Sequence, residues 1–248
     1  CRKIIGSDPG FVDAYILGAQ AAQARGQNKQ ALKFLLQAVG VRPNSLVVQR
    51  NLGIIKSQLG QIDDADRAFR KAMQLDPKDA ETLYCFAVHL DANHRSKEAL
   101  SVYERALEVV PNNPMVWTGL ANAQRSMGEF DLARESCLAA LEFDANYIPA
   151  INNYGALCVS MKDHRAAIEY FHRSLALNPG QPQTWYNLGI EFQRQKQYHN
   201  AIEALMRAYE LEPKSAEVLK TIGHTHLQRA DAESAIKMFG KALEISPN

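Results

Sequence analysis

The sequence predicts an all-α protein of the α-solenoid class, and three observations carry that reading. Prolines recur at Pro9, Pro43, Pro77, Pro111, Pro179, Pro213 and Pro247, a spacing of 34 residues or its double, with Ala145 in the one vacant place. A strict period of that size without insertions marks a repeat architecture. Small residues recur in the same register, as Ala31, Ala65, Ala99, Ala133, Ala167, Ala201 and Ala235. Within each period the apolar residues step by three and four, which is helical, and no strand-like alternation competes.

Ending each unit two residues after its proline gives seven units, 12–45, 46–79, 80–113, 114–147, 148–181, 182–215 and 216–248, with residues 1–11 as the end of a preceding second helix finishing at Asp8-Pro9. Each unit predicts two helices. In the sixth, Trp185, Leu188 and Phe192 set the step of the first helix, and Ala201, Leu205, Ala208 and Leu211 that of the second. Between them lies a short polar turn, where Gly26, Gly60 and Gly128 supply a left-handed helix end. Elsewhere His94, Lys162, Lys196 and Ala230 stand in that place. The proline stops the second helix, and Asn113-Pro114 offers an N-cap and a first-turn proline to the next one.

Packing follows from the columns. Position 8 holds Ala19, Gly53, Ala87, Ala121, Gly155, Gly189 and Gly223, and position 27 is Ala except at Ser174. With Ala at position 20 these let backbones approach closely, while large residues at positions 4, 7, 11, 24 and 30 are expected to fill the remaining space. Ordering one unit costs about 50 kcal/mol at ~1.5 kcal/mol per residue, so it needs on the order of 2,000 Å² of apolar burial to break even. A lone helix pair does not supply that, whereas stacked neighbours do.

The charge balance narrows the partners. Lys and Arg total 28 against 27 acids, and the halves do not diverge: residues 1–124 carry +3 and 125–248 carry −2. A phosphate-backbone binder concentrates basic charge, so nucleic acid is not an expected partner. No stretch of 18 uncharged apolar residues exists to insert into a membrane. Cys1-Arg2-Lys3-Ile4-Ile5 has no secretory h-region. Cys1, Cys85, Cys137 and Cys158 lack metal-like spacing and suggest thiols in a reducing, cytoplasmic compartment.

At these columns the chain resembles the tetratricopeptide repeat family: an aromatic at position 4, Leu-Gly or Leu-Ala at 7–8, Ala at 20, an aromatic at 24, Ala at 27 and Pro at 32. The resemblance covers all but the first eleven residues. Departures are Gln49 at position 4, Lys56 and Gln124 at position 11, and Ala145 for Pro. It implies a right-handed superhelix whose first helices line a concave groove, with positions 2, 5, 6, 9, 12 and 13 facing it. In peptide-binding relatives Asn at position 6 holds the ligand's backbone, because a carboxamide is both donor and acceptor. Asn51, Asn153 and Asn187 match that rule, and Asn122 at position 9 could add to it. Gln20, Arg125, Arg194 and His224 complete the expected peptide-binding set. Cys85 and Gly119 interrupt the ladder. The face is amide-rich with a few cations, so a polar or mildly acidic extended peptide is the expected ligand. The carboxylate clamp of chaperone-tail binders does not fit, since Arg50 is followed by Ile54 and the fourth unit has Met115 and Gly119.

Catalytic patterns are absent from the sequence. There is no GxSxG, HExxH or GxxxxGK[ST], and His224 and His226 point roughly 200° apart on a helix, so no enzyme, cofactor or metal site is expected. Trp117 and Trp185 belong to the packing column. Asp63-Asp64-Asp66 reads as a solvated outer face. The reading is a scaffold that binds an extended partner segment. The alternatives are the substrate-recognition repeats of a larger glycosyltransferase or sulfotransferase, and an assembly module using its outer face or ends. At Pro247-Asn248 no polar capping helix follows, which would leave Phe239, Leu243 and Ile245 open to self-association.

Overall fold

The computed structural model describes residues 11–247, and among these every regular element is a helix. The expectation for residues 1–11 falls outside the described residues apart from Phe11, which precedes the first helix. The chain divides into two compact units, Cys1–Met127 and Gly128–Asn248. The first contains α1 (Val12–Gln23), α2 (Asn28–Val41), α3 (Leu46–Gln58), α4 (Ile62–Leu75), α5 (Ala80–Ala92), α6 (Ser96–Val109) and α7 (Pro114–Ser126). The second contains α8 (Phe130–Phe143), α9 (Ile148–Ser160), α10 (His164–Leu177), α11 (Pro182–Arg194), α12 (Tyr198–Leu211), α13 (Ala216–Gln228) and α14 (Ala232–Ile245).

Within the first unit α1 packs on α2, α3 on α4 and α5 on α6, and each of α2, α4 and α6 also packs on the helix that follows it. The second unit repeats the scheme: α9 on α10, α11 on α12, α13 on α14, with α8, α10 and α12 packed on their successors. Each inner helix is thus covered on two sides, which is the solenoid principle.

The helix ends are set locally. Ser45, Asp79, Asn113, Asp163, Ser215 and Asp231 each accept a first-turn backbone N–H at their helix's N-terminus. The tight turns inside the pairs are left-handed whatever residue stands there. Gly26, Gly60 and Gly128 have φ of 70°, 73° and 80°, and His94, Lys162, Lys196 and Ala230 have 60°, 63°, 59° and 61°. The following N–H reaches back to close the helix, as Gln61 N does to Lys56 O and Asp231 N to His226 O, both at 2.9 Å. The non-glycine residues therefore keep the turn at a steric cost.

The small column works mainly by making room for the position-24 side chain. A Cβ built on Gly155 would lie 2.7 Å from Phe171, one on Gly189 2.6 Å from Leu205, and one on Gly223 2.7 Å from Phe239. Where Ala87 occupies that place, the ring of buried Tyr103 lies against α7, and a Cβ on Gly119 would come within 2.5 Å of it. Gly119 interrupts the asparagine column because Tyr103 takes its space. At positions 7 and 23 bulk is exchanged: Gly18 faces Phe34, whereas bulky Leu52 and Leu188 stand opposite small Ala68 and Ala204.

A second regularity was hidden in the departures. The loop carbonyl at position 32 accepts a hydrogen bond from the following unit at five successive places. Gln49 Nε2 donates to Pro43 O (2.8 Å), Trp117 Nε1 to Pro111 O (2.7 Å) and Trp185 Nε1 to Pro179 O (2.8 Å). Arg105 donates to Pro77 O (3.5 Å), and Arg173 to Ala145 O. Gln49 is the aromatic's replacement in packing and its equal as an N–H donor. Position 30 corrects the sequence reading. Val41, Leu75, Val109, Phe143, Leu177, Leu211 and Ile245, the last residue of each second helix, are 38–45% exposed and do not fill the core.

Candidate binding face on the first helices

In the first unit the face formed by α1, α3, α5 and α7 is partly apolar. Leu17, Val47, Val88 and Met115 are exposed on it, and Gln20 is exposed beside them. Asn51 is half-buried and donates to Val47 O one turn back at 2.9 Å. Asn122 uses both ends of its carboxamide: Nδ2 donates to Asp91 (2.8 Å) and Oδ1 accepts from Arg125 (2.8 Å). Asp91 also accepts from Ser96 at 2.8 Å. Asn122 and Arg125 therefore frame the face as a fixed network. Arg50, 8% exposed, pairs with Asp79 at 2.9 Å and Glu81 at 2.8 Å. Burial pushes the Asp79 carboxyl up, but hydrogen bonds from Thr82 and Arg50 outweigh it and hold it below the usual carboxylate range. Burial, with Glu81 nearby, raises the Cys85 thiol to about 11, which leaves it a poor nucleophile.

Behind this face lies a cluster that composition did not reveal. His89, 2% exposed, holds Ser57 Oγ at 2.7 Å through Nδ1 and Asp66 Oδ1 at 2.9 Å through Nε2. Asp66 also accepts from Arg95 at 2.8 Å, and Arg95 forks onto Glu98 at 2.7 and 2.8 Å. The expectation of a solvated Asp63-Asp64-Asp66 run is thus corrected. Asp63 is exposed, but Asp64 pairs with Lys56 and Arg67, and Asp66 ties α4 to α5 and to the turn after it.

In the second unit Asn153 and Asn187 sit half-buried at the same position of α9 and α11, and Thr221 occupies it on α13. Asn187 Oδ1 accepts from Gln183 at 3.0 Å. Asn152, one residue off the column, donates to Gln181 at 2.8 Å and accepts from Thr184 at 3.3 Å. Gln181 also bonds Ser174, which explains a serine in the alanine column. Arg194 is exposed and reaches Glu191 at 3.5 Å; that carboxylate is almost fully buried and lies 2.6 Å from His164 Nδ1. His224 is exposed and stands edge-on to Phe239, with ring centroids 5.1 Å apart, whereas His226 turns to Asp231 at 3.1 Å. Within this unit Asn153, Asn187 and Thr221 hold the same position of α9, α11 and α13, while Arg194 bonds Glu191 and His224 packs on Phe239.

Helix pairs stacked by matched small and large columns, with polar side chains presented by the first helix of each pair, define a repeat scaffold. The chain belongs to the tetratricopeptide repeat family, whose models match residues 51–79, 86–148, 148–181, 182–215 and 216–248. It is 26% identical over 99% of its length to anaphase-promoting complex subunit cut9 of Schizosaccharomyces pombe. It is 25% identical over 90% of its length to BBSome complex member BBS4 of Bos taurus. The chain spans 38% and 43% of those two proteins, less than half of each. The crystal structure of the APC/C hetero-tetramer Cut9-Hcn1 matches all of this chain and 49% of its own, with a TM-score of 0.79 at 25% identity. The pilF structure from Pseudomonas aeruginosa shares the fold, with a TM-score of 0.69 over 82% of this chain and 92% of its own at 22% identity. Among the described residues no helix is long and apolar enough to cross a membrane.

Proposed function

We propose that this chain is a non-catalytic interaction scaffold whose first-helix face receives an extended segment of a partner protein. The observation that carries the reading is the pair of carboxamides in the second unit, Asn153 and Asn187, at the same position of two successive first helices. An amide satisfies both groups of a peptide unit and demands no particular side chain. Asn51 offers the same group in the first unit. Relatives that are named as subunits of a promoting complex and of the BBSome support a partner that is protein, and the balanced charge favours protein over nucleic acid. Cys85, Cys137 and Cys158 are free, which fits a reducing, cytoplasmic setting.

A second reading, assembly through the outer side of α14, has its own observation: Ile236 is 72% and Leu243 56% exposed. Lysines separate the two. The full chain is used to capture protein from a cell extract, and the complex is treated with a lysine-reactive cross-linker and mapped by mass spectrometry. Links from Lys220 on α13 to one continuous partner segment are expected. Links confined to Lys237 and Lys241 on α14 would refute the first-helix reading and favour assembly.

A further inference from the structure

The second unit has a small cavity beside the carboxamide line whose chemistry that line does not explain. It holds about 70 Å³, and its polar walls are Gln183, Tyr186, Glu212, Ser215 and Glu217. Tyr186 donates its hydroxyl to Glu217 Oε1 at 3.2 Å and lies 3.4 Å from Thr221 Oγ1, so ring and carboxylate are held together. No cation lines the cavity. The ion pairs described in this unit engage other acids, namely Asp131, Glu169, Glu191, Glu210 and Asp231. Gln183 on its wall donates to Asn187 at 3.0 Å and so links the cavity to the proposed binding line.

We infer that this cavity receives a lysine or arginine side chain of the bound segment, an inference that rests on the first-helix reading proposed above. Two carboxylates that make none of the ion pairs described in this unit, beside a half-buried tyrosine, attract an ammonium or guanidinium as an ion pair. The cavity is partly open to solvent, so a side-chain head of the bound segment can enter it from the surface. The partner's charge at this register is positive, opposite in sign to the mildly acidic ligand that the amide-rich face suggests.

The test uses a phage-displayed library of random dodecapeptides, selected on the full wild-type chain, on a Glu212→Gln/Glu217→Gln variant and on an Asn153→Ala/Asn187→Ala variant. Both carboxylates are exposed, so the charge-neutral variant keeps its fold, checked by circular dichroism. Wild-type selection is expected to enrich one lysine or arginine at a fixed place, and the Gln variant to lose that preference. The strongest wild-type peptide, resynthesised with norleucine at that place, is expected to lose about tenfold or more in affinity for wild type and less than about twofold for the Gln variant. Peptides that depend on Asn153 and Asn187 but carry no basic preference, or a preference that persists in the Gln variant, would overturn the cavity and leave the first-helix reading intact. Peptides indifferent to the asparagine changes, or no enrichment at all, would overturn both.

Discussion

Gly155→Ala and Gly240→Ala are the same chemical change in the same unit, and the structure gives them opposite signs. Each adds about 1 kcal/mol of helix propensity. At Gly240, exposed on α14, a Cβ meets nothing within 4 Å, so the gain stands. At Gly155 the new Cβ lies 2.7 Å from Phe171 Cε1 and 2.9 Å from Cδ1. Phe171 is 1% exposed and packed among Cys158, Leu175 and Leu188, so its ring has nowhere to swing. Overpacking of this kind costs about 1–3 kcal/mol, for a net loss of up to about 2 kcal/mol after the propensity gain. Urea unfolding followed by far-UV circular dichroism compares the midpoints, with equal slopes as the check that the same cooperative unit melts. Gly155→Ala is expected to lower the midpoint and Gly240→Ala to raise it. Adding Phe171→Leu to Gly155→Ala should recover part of the loss, because the α1–α2 pair already combines Ala19 with Leu35. If Gly155→Ala stabilises as much as Gly240→Ala does, the close helix contact is wrong.

Three further outcomes follow from other parts of the structure. Ala230 holds φ of 61°, so Ala230→Gly should raise stability by about 0.5–1 kcal/mol, and Gly60→Ala should lower it similarly; thermal melts of the pair read the sign. Trp185→Phe keeps an aromatic ring but removes the donor to Pro179 O, and should cost about 1 kcal/mol, visible in the same urea assay. Burial raises the Asp66 carboxyl, but hydrogen bonds from Arg95 and His89 outweigh it, so its folded pKa is lowered. A lowered carboxylate stabilises fully above the unfolded value of about 4 and loses that contribution as pH falls through its folded value. Wild type should therefore lose its advantage over Asp66→Asn only on the acid limb below about pH 4, measured as the difference in urea midpoint against pH. An advantage that fades between neutral pH and 5 instead would contradict the assignment.

The fold was legible because its causes are local and periodic. The proline spacing, the alanine column and the glycine turns each act within one helix pair, and each leaves a mark at a fixed interval. His94, Lys162, Lys196 and Ala230 replace the glycine of the turn, yet their backbones are left-handed all the same: the turn is imposed by helix packing, and residue choice only sets its cost. What stayed hidden depends on partners distant in sequence. Gln49 reads as a lost aromatic until its bond to Pro43 O is seen. Asp66 reads as solvated until His89 and Arg95 close around it. The asparagine column was visible as spacing, but whether a carboxamide is already spent, as at Asn122, depends on Asp91 in the preceding helix pair. Position 30 was misjudged because an apolar residue at a helix end carries no sign of which way the stack turns it.

The proposal that a partner segment lies along the first helices is tested most directly by calorimetric titration of one library-selected peptide into wild type and Asn153→Ala/Asn187→Ala. Both side chains are half-buried on the helix face, so melting temperatures should agree closely while affinity falls several-fold. Equal affinity for the two proteins, with melting unchanged, would show that the segment binds elsewhere.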